Sequence, residues 1–207
     1  MPPLTDSAAD GAAYDIATLK TRLRRAALAR RDALAPDMRL RAAEAIADLV
    51  AGLDLPTGAI VSGFWPIRSE IDPRPALARL AARGHALALP VILDDGETMI
   101  FRRWRADDTL VAAGFGLSEP GPAAEEVAPD VLLVPLAAFD RHGDRIGYGK
   151  GFYDRALARL TATGPRLTVG VAFATQEVDR VPTEPHDRRL DLILTEAGTI
   201  RPAGDPT

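Results

Sequence analysis

Apolar residues recur at helical spacing from Asp15 onward. Ile16, Leu19, Leu23, Ala27 and Leu28 share one side of a predicted helix that has Asp15 or Thr18 as its cap and is interrupted at Ala35-Pro36. A second helix is predicted over 37–50, stopped by Gly52. The pattern then changes. Residues 59–65, Ala-Ile-Val-Ser-Gly-Phe-Trp, read as a buried strand; a helix over 75–83 follows, Gly84 ends it, and the three together make a βα unit. Short strands fit 86–91 and 99–103, and the apolar run Val131-Leu-Leu-Val-Pro135 is the candidate central strand. A helical pattern over 151–160 ends near Gly164, and 167–172 and 190–194 supply two more strands. Strands alternating with helices predict an α/β fold, three layers of α/β/α around a mostly parallel sheet, with ligands bound beyond the carboxyl ends of the strands. The loop after Pro135 lies at such an end.

Composition narrows the chemistry. The chain has 207 residues, 47% hydrophobic, enough to bury a sizeable core, and is read as a single domain over 15–200 with tails at 1–14 and 201–207. A net charge of −4 offers no basic field for nucleic acid. No run reaches the roughly 18 apolar residues of a membrane span, and the first fifteen residues lack the basic start and apolar stretch of a signal peptide, so the expected location is the cytoplasm. Without cysteine there is no disulfide, thiolate nucleophile or Cys-based zinc site, and the three histidines lie far apart in sequence, so any metal is expected on oxygen ligands.

The most informative stretch runs from Phe139 to Arg155. Within it, Gly147, Gly149 and Gly151 alternate just before a predicted helix. Glycines so spaced let the backbone approach a ligand, the helix start offers free N–H groups to phosphate, and Arg145 and Lys150 add two charges. Taken alone, the pattern fits a phosphate cradle or an ordinary glycine-rich turn. It lacks the spacing and Lys-Ser/Thr ending of a Walker A loop.

Five segments in order carry a family resemblance. Arg145-Ile-Gly-Tyr-Gly-Lys-Gly-Phe-Tyr-Asp154 resembles the R-x-G-x-G-x-G-Y-Y-D signature of the 5-formyltetrahydrofolate cyclo-ligases. Lys20-Thr-Arg-Leu-Arg24 resembles their K-x-x-L-R element, 65–72 their substrate segment, Phe115-Gly-Leu-Ser-Glu-Pro120 their G-[IL]-x-E-P element, and 182–196 their P-x-x-x-H-D…T-E stretch. The resemblance implies the cyclo-ligase fold, of the NagB/RpiA/CoA transferase-like type. It also implies an ATP- and Mg²⁺-dependent enzyme of one-carbon metabolism that closes 5-formyltetrahydrofolate to 5,10-methenyltetrahydrofolate.

By the same resemblance ATP would be bound by Lys20, Arg24, Arg145, Gly147, Tyr148, Gly149, Lys150, Gly151, Phe152 and Tyr153, with Lys20, Arg145 and Lys150 catalytic. The folate, with or without a polyglutamate tail, would meet Trp65, Glu70, Phe115 and Tyr153, and Asp154 and Asp187 would hold Mg²⁺. Each position also has an ordinary reading: Lys20 and Arg24, four apart, as a solvated helix face; Asp154 as a helix-start acid; the aromatic residues as core. Tyr148 stands where some relatives carry Arg, and Phe152 replaces the usual Tyr. His186 is given no general-base role, because the reaction needs no strong base; His85 and His142 read as surface turns. The expected assembly is a monomer or weak dimer. A sugar-phosphate isomerase on a similar scaffold, or a non-catalytic nucleotide- or folate-binding relative, would share parts of the pattern. The first would act without ATP or Mg²⁺; the second would be expected to lack one of Glu70, Asp154 and Asp187, all present here.

Overall fold

The computed structural model describes residues 15–202, apart from Leu117 and the side chain of Phe115; the tail expected over 1–14, and 203–207 of the second tail, lie outside the described residues. Helix α1 (Ile16–Asp32) starts after Asp15 and carries Arg30 and Arg31 in its last turn, where cations meet the negative end of the helix dipole. Helix α2 (Pro36–Ala51) has proline in its first turn, a position whose missing N–H costs the helix nothing.

The strands are β1 (Ile60–Ser62), β2 (Ala86–Ile92), β3 (Met99–Trp104), β4 (Leu110–Ala112), β5 (Ser118–Pro120), β6 (Val131–Pro135), β7 (Ala138–Phe139), β8 (Arg145–Ile146), β9 (Leu167–Val171), β10 (Leu192–Thr195) and β11 (Gly198–Ile200). Helix α3 (Arg74–Ala82) joins β1 to β2, and α4 (Phe152–Thr161) precedes β9. Seven strands form the main sheet in the order β11-β10-β9-β6-β1-β2-β3. The five central strands run parallel, and antiparallel β3 and β11 close the two edges.

Alternation along the strands divides the core between two faces. Val61, Leu87, Leu89, Val131, Leu133, Val169 and Val171 pack with α2 and α3. Leu132, Val134, Ile193, Met99 and Phe101 pack with Ala156, Leu157 and Leu160 of α4 on the other face. The sheet is therefore covered on both sides, and central strands buried twice must be apolar throughout. This is why 131–135 is legible as the centre. The strand read over 59–65 shortens to Ile60–Ser62, because 63–70 leave the sheet as a loop at its carboxyl end.

Two hairpins, β4–β5 and β7–β8, and edge strand β11 were not anticipated from periodicity. Segments of two or three residues are too short to show a period. His85 corrects the surface-turn expectation: it is 8% exposed, since the turn ending α3 feeds directly into β2 and its N–H is tied to the Leu80 carbonyl at 3.1 Å.

Leu133, 1% exposed in central β6, tests the core. Leu133→Ala is expected to cost about 2–5 kcal/mol of unfolding free energy, read from urea denaturation.

Candidate active site

At the carboxyl ends of the parallel strands three segments meet: α1, the loop 139–151, and 181–188. A small apolar cluster of Ala27, Ala138, Ile146 and Val181 joins them. Arg30 fastens α1 across the strand ends by donating to the Thr175 and Glu177 carbonyls at 2.6 and 3.0 Å. Fully buried Asp140 knots the other two together, accepting from the N–H groups of His142, Asp144 and Val181 at 2.9, 3.1 and 2.9 Å. A buried carboxylate with three such donors is fixed in place and ties the two segments rigidly together.

The glycine loop issues from the β7–β8 hairpin. Gly149 has φ +90°, and a Cβ there would lie 3.5 Å from the Arg24 guanidinium; Gly151 has φ +66° and caps α4. Both backbones are left-handed, a conformation that glycine adopts without steric cost. Arg24 Nε donates to the Gly147 carbonyl at 2.7 Å, so α1 braces the loop, and burial lowers the Arg24 guanidinium from its usual value.

Charges are matched across the segments. Lys20 Nζ lies 2.6 Å from Asp187 Oδ2 and 2.7 Å from Glu184 Oε2. Burial alone would lower its ammonium, but hydrogen bonds to Asp187 and Glu184 outweigh that and raise it. Burial likewise works to raise Asp187, yet the Lys20 hydrogen bond and the Glu184 N–H at 2.7 Å hold its carboxyl below the usual carboxylate value. Arg145, 9% exposed, pairs with Asp154 Oδ1 at 2.8 Å, and the Arg188 N–H approaches the same oxygen at 3.4 Å. Asp154 stands in the first turn of α4. Glu184, His186 and Asp187 place one ligand atom each within 4.8 Å of one another, a group that does not include Asp154. His186 is mostly exposed and its Nε2 stands 3.9 Å from Asp187. Oxygen donors of this kind fit a hard divalent cation such as Mg²⁺.

Beside this cluster lies a second, more apolar one. Glu70 turns back on its own loop, accepting the Ile67 N–H at 2.9 Å, and faces the Tyr148 hydroxyl. Burial pushes its carboxyl up. The Tyr153 hydroxyl is buried with no partner among the described residues, and burial and the Glu70 charge raise its phenol. Trp65 meets Trp104 edge-on, centroids 6.1 Å apart, and the Arg74 guanidinium lies 5.0 Å from its ring centroid. Phe152 packs on the α4 side of the core with Arg155 5.3 Å over its ring. Phe115 belongs to a short 3-10 turn in the β4–β5 hairpin, which approaches the end of β2 through Glu119 and the Ile92 N–H at 3.3 Å; its side chain lies outside the described residues. Lys150 is exposed on the loop, its carbonyl accepting from Arg155 at 3.0 Å.

The sequence model of the 5-formyltetrahydrofolate cyclo-ligase family matches residues 16–196. The chain belongs to that family. It is 36% identical over 184 residues to the 5-formyltetrahydrofolate cyclo-ligase of Mycolicibacterium smegmatis, a match covering 85% of this chain and 93% of the relative. The Escherichia coli cyclo-ligase is 33% identical over 142 residues, 65% of this chain and 76% of that protein. Among solved structures, Aquifex aeolicus 5,10-methenyltetrahydrofolate synthetase superposes with a TM-score of 0.75 at 30% identity, covering 91% of this chain and 95% of that one. The Mycoplasma pneumoniae 5,10-methenyltetrahydrofolate synthetase gives 0.68 at 25% identity, covering 86% and 98%.

The fold of this cyclo-ligase family member thus draws the cations Lys20, Arg24 and Arg145 and the acids Asp154 and Asp187 to the end of the sheet where the glycine loop stands. Two residues escaped the sequence reading. Glu184 lay inside a recognised segment without a role. Arg31, 2% exposed, follows Lys20 and Arg24 on one stripe of α1, eleven and seven residues on. That spacing was the available signal. A cavity of about 560 Å³ lined by Ala59, Asp130, Leu167 and Asp191 opens at the amino ends of the strands, opposite these residues.

Because the folded Asp187 carboxyl is held below its ordinary value of 3.8, its contribution to stability is complete above that pH and is lost as pH falls through the lower folded value. In urea titrations from about pH 6 down to pH 2, Asp187→Asn should be less stable than wild type at the upper end and converge with it at the lower. Parallel curves across that window would contradict the ion pair.

Proposed function

We infer that the chain is an enzyme that closes 5-formyltetrahydrofolate to 5,10-methenyltetrahydrofolate at the expense of ATP. The observation that carries the reading is the convergence, in a cyclo-ligase family member, of glycine-loop amides with Lys20, Arg24 and Arg145 on one side and Glu70 with Tyr153 on the other. The first set suits a polyphosphate. The second suits a flat heterocycle whose N–H edge seeks a carboxylate.

The formyl oxygen on N5 attacks the γ-phosphorus of ATP and ADP leaves, which turns a poor leaving group into a phosphate ester. N10 then attacks the activated formyl carbon. The C–O bond breaks, the methenyl bridge forms, and the former formyl oxygen and the N10 proton depart in hydrogen phosphate. No protein nucleophile takes part, in keeping with a chain that has no cysteine. The protein's contribution is to hold two substrates in line and to neutralise charge growing on the transferred phosphoryl group. Lys20, Arg24, Arg145 and Lys150 supply that charge, and the amides of Gly147, Gly149 and Gly151 add their dipoles.

Asp154 and Asp187, the latter with Glu184 beside it, are the residues that would hold Mg²⁺. When bound, the ion would supply Lewis-acid neutralisation of phosphate oxygens. Lys20 and Arg145, now held by these carboxylates, are the cations meant for phosphate, so nucleotide binding exchanges partners within one charge-balanced group. Gly147, Gly149, Gly151 and the Phe152 backbone at the start of α4 line the ATP side, Tyr153 stands between the two substrates beside Glu70, and Trp65 and Phe115 line the folate side. The protein acts in the cytoplasm on free or polyglutamylated folate, as a monomer or weak dimer, without nucleic acid or membrane. Among the described residues no helix is long and apolar enough to cross a membrane.

The decisive assay follows the near-ultraviolet absorbance of the methenyl product with 5-formyltetrahydrofolate, Mg²⁺ and ATP, against a sample without ATP. Product is expected only with ATP, and Asp154→Ala should lower the rate at least about a hundredfold. Product without ATP would overturn the reading. Lys150→Ala should raise KM for ATP while leaving the urea midpoint within error; unchanged kcat/KM for ATP would remove Lys150 from the phosphate site.

A further inference from the structure

Arg31 is a buried cation that none of the roles above uses. At 2% exposure its guanidinium must find partners for its N–H groups or destabilise the fold. Nε donates to Ser69 Oγ at 3.0 Å, and Ser69 in turn donates to the Asp32 carboxylate. Nη1 donates to the Tyr148 hydroxyl at 2.6 Å, and the guanidinium stands 5.9 Å from the Tyr148 ring centroid.

The direction of the next hydrogen bond follows from elementary chemistry. Arginine has donors and no acceptor, so the Tyr148 oxygen accepts from Arg31 and its own proton is free to point elsewhere. The hydroxyl faces the Glu70 carboxylate, an acceptor when ionised, and burial and the Glu70 charge together raise its phenol. Glu70 is held by the Ile67 N–H on one side and faces the Tyr148 hydroxyl on the other. Chains of this kind polarise each bond in the same sense.

We propose that Arg31 and Tyr148 form a relay of positioning residues that holds Glu70 as an oriented carboxylate for the N–H edge of the folate ring, so that Tyr148 serves the folate half of the site rather than the phosphate half. The inference rests on the cyclo-ligase reading and deepens it. It also reassigns a residue of the glycine loop: Gly147 and Gly149 stay with the phosphates, while the side chain between them turns to the other substrate.

Charge supports the geometry. Glu70 is faced by Arg31 from α1, Arg68 from its own loop, Tyr148 from the glycine loop and Tyr153 from α4. Burial raises its carboxyl, and the Tyr148 hydroxyl, the Ile67 N–H and the charges of Arg31 and Arg68 pull it back toward the ionised form. Without the hydroxyl the carboxyl rises further. At any pH near its titration, less of it is then charged.

The test compares wild type, Tyr148→Phe and Arg31→Lys in the methenyl absorbance assay, varying each substrate in turn from about pH 5 to pH 9. Tyr148→Phe keeps the ring and removes one hydroxyl. Its KM for 5-formyltetrahydrofolate should rise about tenfold with KM for ATP within about twofold, and the acid limb of kcat/KM for the folate should move to higher pH. Arg31→Lys keeps the charge but cannot bridge Ser69 and Tyr148, and should shift the same parameters in the same direction. A rise in KM for ATP with the folate constants unchanged would return Tyr148 to the phosphate half and overturn the relay. So would losses confined to kcat, or losses that follow the urea midpoint with an unmoved pH profile. Direct titration of 5-formyltetrahydrofolate by quenching of tryptophan fluorescence separates the two levels of the argument. Wild-type binding without turnover would count against the cyclo-ligase reading, whereas equal folate affinity in wild type and Tyr148→Phe would count against the relay.

Discussion

Crowded positive charge governs this end of the molecule. Lys20, Arg24, Arg31 and Arg145 come from two segments of chain and converge on one loop, where two unit charges 4 Å apart at the effective dielectric of a protein surface repel by about 4 kcal/mol. Each has a partner drawn from elsewhere in the sequence. Lys20 has Asp187 and Glu184, Arg24 the Gly147 carbonyl, Arg31 Ser69 and Tyr148, and Arg145 Asp154. Without those partners α1 and the glycine loop could not lie together. With them, the polyphosphate and divalent cation of the proposed reaction would replace contacts the folded protein already satisfies.

The scaffold beneath is stiff where it must be. Asp140 is buried and triply hydrogen-bonded, Gln176 is buried and donates to the Leu136 and Ala137 carbonyls at 2.6 and 3.0 Å, and both stand just beyond the end of β6. Buried polar groups satisfied in this way rigidify the backbone that carries them. The acids proposed for the cation are less buried: Asp187 and Asp154 keep 19% and 20% of their side-chain surface.

Much of the site was legible because its backbone requirements are written locally. Left-handed residues at 149 and 151 call for glycine, and an acid four residues into the loop-to-helix junction sits where a helix start favours it. What the loop's side chains do was less legible. Tyr148 reads in sequence as a gap in a phosphate site, yet its hydroxyl meets Arg31 and Glu70, both remote in the chain. Phe152 reads as a missing hydroxyl, and the ring it retains lies on the core with Arg155 above it.

The amino-acid sequence by itself determined the layers of this protein and the order of its elements, because helical and strand periods are properties of neighbouring residues and twice-buried strands must be apolar throughout. It also determined the chemical character of the loop, since glycine, arginine and aspartate carry their backbone freedom and charge wherever they are placed. The tertiary structure decided the rest. Only folding sets Lys20 against Asp187, 167 residues away, buries Arg31 and His85, closes the sheet with β3 and β11, and turns Tyr148 toward Glu70. Such contacts leave no local period, because each depends on two distant segments arriving at one point and on the cost of burying a polar group that finds no partner there.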